Sequence, residues 1–136
     1  MAELKYGKYV LQHPLEHGEF GPKINVVGER DFNSDFSIIY LPVTKSVLME
    51  KFAHKHEFDI YLTFLGFDPN GLEDLGGEIE MFMGEEGEKY IIKNPTSIYI
   101  PKGLVHCPLN FTRIDKPILL AHATLAPKYY KTENSS

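Results

Sequence analysis

Two separated segments carry the side chains best suited to chemistry: His54-Lys55-His56-Glu57-Phe58-Asp59 and Pro101-Lys102-Gly103-Leu104-Val105-His106-Cys107-Pro108-Leu109-Asn110. Together they offer three imidazoles and at least one carboxylate to a single site. Residues 54 and 56 are two apart, so on a strand their side chains share a face. That arrangement aims two nitrogens at one ion. A third imidazole, His106, would then arrive from a neighbouring strand. The pattern reads as a metal site inside a small β-barrel.

The elements that must position these groups read as strands. Short runs rich in Ile, Val, Tyr, Phe and Thr, bounded by turn signals, fall at 23–27, 36–43, 46–54, 59–65, 78–83, 88–92, 97–100, 106–112 and 117–123. Gly84-Glu85-Glu86-Gly87 reads as a hairpin turn, and Asp68-Pro69-Asn70-Gly71 opens a longer surface loop running to Gly77. No stretch sustains a helical apolar stripe over three turns. Short strands at this spacing predict an all-β sandwich or barrel. A single domain over 1–130 and a frayed polar tail over 131–136 are expected.

Composition narrows the function classes. The 136 residues are 43% hydrophobic and 24% charged, an ordinary globular balance. A net charge of −5 with scattered Lys and Arg offers no surface for nucleic acid or anionic membranes. The apolar runs are too short to span a bilayer. The N-terminal Met-Ala-Glu-Leu-Lys-Tyr-Gly-Lys has no apolar signal region, and one cysteine allows no internal disulfide. Cytoplasm is the expected location.

On these residues the chain resembles the cupin superfamily, whose members share a jelly-roll barrel, or double-stranded β-helix. Pro101, Gly103, His106 and Asn110 stand at the spacing of the family's second motif. His54 and His56 supply the paired imidazoles of its first motif, and Gly66 its closing glycine. The resemblance covers roughly residues 46–112. Leu48 and Pro95 replace the glycines that open the two motifs, both at turn positions. Counted forward from His56, the family's Glu falls on Ile60 or Tyr61; counted back from Gly66, it falls on Asp59. The resemblance thus implies metal ligands His54, His56 and His106 with Asp59 as the fourth. Glu57 is the alternative carboxylate, and a three-histidine site is the remaining option.

Such a ligand set in octahedral geometry leaves two positions open and suits Fe, Mn, Ni or Co as divalent ions, while Zn accepts the same nitrogens. The expected function is therefore a metal-dependent enzyme acting on a small polar, metal-chelating substrate by oxygenation, isomerisation or decarboxylation. The competing class is a non-catalytic small-molecule binding module on the same barrel. Strand parity, which one bulge would reverse, predicts that Tyr61 and Thr63 follow Asp59 inward. It predicts Asn110 inward with His106, Cys107 on the opposite face, and His122 inward with Leu120. Tyr61 and His122 are the expected catalytic proton donor and substrate anchor. Small cupins resembling this chain pair through N-terminal strands, which predicts a homodimer using residues 1–30, with Tyr6, Tyr9, Val10, Leu11 and Leu15.

Overall fold

Alternation of apolar and polar residues along the strands builds two antiparallel sheets that face each other. The computed structural model describes residues 5–129. Ten strands are present: β1 (Glu16–Gly18), β2 (Gly21–Val26), β3 (Ser37–Val43), β4 (Val47–Glu50), β5 (Ile60–Gly66), β6 (Gly77–Met83), β7 (Glu88–Ile92), β8 (Thr96–Ile100), β9 (His106–Ile114) and β10 (Ile118–Thr124). One sheet runs β1-β2-β3-β10-β5-β8 and the other β4-β9-β6-β7. Strands adjacent in space are mostly distant in sequence, as a jelly roll requires.

The core lies between the sheets. Ile60, Leu62 and Phe64 of β5, Leu41 and Val43 of β3, and Ile118 and Leu120 of β10 point inward from one sheet. Ile79 and Met81 of β6 meet them with Leu109 and Phe111 of β9. Phe64 and Phe111 cross the gap edge to face, with ring centroids 5.9 Å apart. Each such side chain contributes about 1.5–3 kcal/mol through burial. At Gly77 an added Cβ would lie 2.3 Å from the Arg113 carbonyl oxygen, so β6 packs there against β9 as only glycine allows. On the outer side of β6, Glu78 and Glu80 pair with Lys93, Arg113 and Lys89.

The strands foreseen from sequence recur with shifted ends, apart from 46–54. That strand stops at Glu50, and His54 returns only as an isolated antiparallel bridge to His106. Strand β1 and the single helical turn α1 (Gly28–Asp31) were not anticipated, being too short for a periodic signal. The 131–136 tail lies outside the described residues. None of the helices among the described residues is long and apolar enough to cross a membrane.

Candidate metal centre

His54 and His106 are brought together by the backbone itself. The N–H of His54 donates to the His106 carbonyl at 3.0 Å, and the N–H of His106 donates to the His54 carbonyl at 2.9 Å. His56 sits two residues further on, and its carbonyl accepts from the N–H of Gly103 at 2.9 Å. Gly103 has φ +85°, a left-handed conformation suited to glycine, so the turn that opens the second motif is tied to the first. The three rings converge, with centroids 4.6 Å apart for His54–His106, 4.9 Å for His54–His56 and 5.2 Å for His56–His106. All three residues are buried, at 7%, 2% and 3% exposure.

The ring orientations are set by the chain two residues upstream. His54 donates its Nδ1–H to the Phe52 carbonyl at 3.0 Å, and His106 donates its Nδ1–H to the Leu104 carbonyl at 2.9 Å. A carbonyl oxygen can only accept, so the neutral ring keeps its lone pair on Nε2. This is the backbone support that orients metal-binding imidazoles. Burial holds the His106 pKa below the ordinary histidine value, partly opposed by the Leu104 bond. A neutral ring is the ligating form.

Cys107 joins this cluster, contrary to the parity expectation. Its thiol is buried, and its Sγ lies with the His54 and His106 nitrogens in a group whose donor atoms are all within 4.8 Å of one another. The cause is a register shift. His106 pairs with Met83 and Leu109 with Met81, so β9 carries one extra residue there, and Cys107 takes φ +81°. Pro108, inside a strand, was the sequence signal for that bulge. Beyond it the parity is inverted: Leu109 and Phe111 are buried while Asn110 is only partly so.

Asp59 and Tyr61 require the opposite correction. Ile60, Leu62 and Phe64 hold the inward positions of β5, which puts 59, 61 and 63 on the outer face. The Asp59 carboxylate accepts the Lys102 N–H at 2.8 Å and the Tyr99 hydroxyl, a bond that raises the Tyr99 pKa. Tyr61 is 45% exposed and lies beside Tyr99, with ring centroids 5.0 Å apart. Thr63 pairs with Ser97 on that face, and Glu57 is exposed. None of these residues lines the cavity.

Glu19 lines the cavity, and the carboxylate beside the histidines is Glu50, at the end of β4. Its Oε1 lies 3.9 Å from His54 Nδ1. A register shift between Leu48 and Glu50 turns it inward. Its place four residues ahead of the histidine pair, outside the family spacing, kept it out of the sequence reading. Tyr129 was missed too, because it follows the last strand. Its ring lies 5.2 Å from His56 and 4.8 Å from His122. Burial, then the nearby Glu50 charge, pushes the Tyr129 phenol well above the usual range. His122 lines the cavity as expected, and burial lowers its pKa to about 4.

These groups share a cavity of about 170 Å³ whose remaining walls are largely aliphatic. The donor set fits a transition ion: three buried imidazoles, two of them oriented by Nδ1–H bonds to backbone carbonyls, a thiol and a nearby carboxylate.

No protein-family model and no curated protein matches the chain. Solved structures do. A Bacillus subtilis oxalate decarboxylase with Mn(II) centres is similar over 89% of this chain, at 13% identity and a TM-score of 0.62. This chain spans 29% of that protein's length. A protein from Planctomyces limnophilus is similar over 96% of this chain and 92% of its own, at 13% identity and a TM-score of 0.53. HppE in its FeII form is similar over 83% of this chain and 56% of its own, at 15% identity and a TM-score of 0.52. These likenesses establish the fold.

Proposed function

On the premise of a cupin-fold barrel, we propose that this chain binds one divalent transition ion through His54, His56 and His106 and acts as an enzyme on a small chelating molecule. The observation that carries the reading is the pair of Nδ1–H bonds to Phe52 and Leu104, which leave the Nε2 lone pairs of two facing imidazoles available in a buried cluster. The Mn(II) centres of the similar oxalate decarboxylase and the FeII of HppE favour manganese or iron over the other candidates. When bound, such an ion polarises a chelated oxygen and offers open positions.

The chain's own groups divide the remaining work. His122, neutral at pH 7, accepts a proton or hydrogen bond from the bound molecule. Tyr129, protonated throughout the physiological range, donates one. These two take the roles that parity assigned to Tyr61 and His122. Glu50 adds negative charge beside His54 and favours a cation there. Oxygenation, isomerisation and decarboxylation are the reaction classes such a set serves. The aliphatic walls favour one second reading, a non-catalytic module that binds the same molecule. The cytoplasmic location belongs to this proposal on composition alone.

Metal analysis by mass spectrometry on untagged protein, beside the His106→Ala variant, tests the reading. Near one equivalent of manganese or iron, lost in the variant, is expected. Absence of metal in both after adding divalent ions would sink it.

A further inference from the structure

We infer that the cavity takes a compact monofunctional ligand, an apolar body carrying one chelating head, rather than a polar dianion or a sugar. This rests on the metal-site reading above for the head, and on the walls alone for the body.

Four of the polar groups, His122, Tyr129, His56 and His106, form one contiguous cluster. The His122 ring lies 4.8 Å from Tyr129, which lies 5.2 Å from His56, which lies 5.2 Å from His106. Interleaved with this cluster are the inward side chains of four strands, among them Ile39, Leu41, Ile60, Leu62, Leu109 and Leu120, with Ile39 and Leu62 directly beside His122 in the register. A polar ligand body would lose its water against these walls without gaining partners. Among the described residues lining the cavity, Lys23 is the one permanent cation, and Glu19 and Glu50 line it too. One cation against two carboxylates leaves the lining no net positive charge to offset the desolvation of a second carboxylate on the ligand. The substrate of the similar oxalate decarboxylase, with two carboxylates and no apolar body, does not suit this cavity.

Size sets the length of the body. A cavity of about 150 Å³ lined by Leu, Ile and Phe binds benzene; this one is of similar volume. Head and body share that space, so a ligand of about six or seven non-hydrogen atoms in all fills it.

The test is titration calorimetry on the full chain loaded with Mn(II), using straight-chain hydroxamates from acetyl to octanoyl. The dissociation constant should fall about fourfold per added methylene, then level off near propanoyl or butanoyl. Ile39→Phe should move that plateau to a shorter chain and Ile39→Ala to a longer one. A flat series, or oxalate binding more tightly than pentanohydroxamate, would overturn the inference. The matching alkyl amides, titrated into metal-free protein, separate the two readings. A chain-length dependence for amides, with hydroxamates no tighter when Mn(II) is present, would refute the chelating head and the metal site but uphold the apolar body. No chain-length dependence in either series would refute the apolar body.

Discussion

His54 and His106, one from each motif, stand directly opposite each other as an isolated hydrogen-bonded β-bridge, each donating its N–H to the other's carbonyl. Each also ties its Nδ1–H to the carbonyl two residues before it. The same local device thus appears on both sides of the bridge. It leaves little freedom in ring orientation before any ligand arrives, which is the preorganisation a binding site needs.

Removing Asp59 or Tyr61 should leave the centre intact. Asp59→Asn and Tyr61→Phe are expected to retain full metal stoichiometry, because both side chains lie on the outer face of the six-stranded sheet. Asp59→Asn should cost stability only through the Lys102 and Tyr99 bonds, about 1 kcal/mol each. A metal-free Asp59→Asn protein that remains folded would return Asp59 to the ligand set.

Cys107 offers a spectroscopic handle. Cobalt-loaded protein should show a near-ultraviolet thiolate-to-Co(II) band that Cys107→Ala removes while the bound cobalt persists on imidazole. An unchanged spectrum in the variant would restrict Cys107 to wall packing.

Acid should weaken the metal-free fold in a defined window. His122 is held near pH 4 in the folded state against about 6.5 unfolded. Between these values the unfolded chain binds the proton and the folded chain does not, so stability is lost as pH falls, by about 1.4 kcal/mol per unit. Above about 6.5 the two states bind equally and this dependence vanishes. His106, also lowered, adds in the same direction. Urea midpoints of chelator-treated protein between pH 4.5 and 7.5 measure this, and His122→Asn should flatten the slope.

The homodimer expected from the resemblance has a specific face available. Val26, Ile38, Ala123, Tyr61 and Tyr99 form one cross-strand row on the outside of the six-stranded sheet, beside a second row of Ile24, Tyr40 and Ala121. Solvent-facing sheet surfaces are ordinarily polar. Tyr6, Tyr9, Val10, Leu11 and Leu15 are exposed nearby in sequence, ahead of β1. Light scattering at micromolar concentration should return twice the chain mass, and Ile38→Lys should return the monomer. A monomeric parent chain would refute the dimer.

Much of this protein was legible in its residues. Alternating apolar side chains between Gly, Pro and Asn punctuation specify strands, because period-two burial is a local property of the chain. The spacing of Pro101, Gly103, His106 and Asn110 against His54 and His56 marked the barrel and the converging imidazoles. Which other groups share the cavity was decided only in three dimensions. Register shifts at Leu48–Glu50 and around Cys107 each add a residue to one strand of a pair, and one added residue inverts every facing beyond it. Glu50 and Cys107 thereby enter the cavity, while Asn110 does not follow His106 inward. Asp59 and Tyr61 are excluded for a simpler reason, since Ile60, Leu62 and Phe64 fill the core side of β5. Tyr129, beyond the last strand, meets His56 only once the barrel has closed. Facing depends on pairing with distant strands, and that pairing is a property of the whole fold.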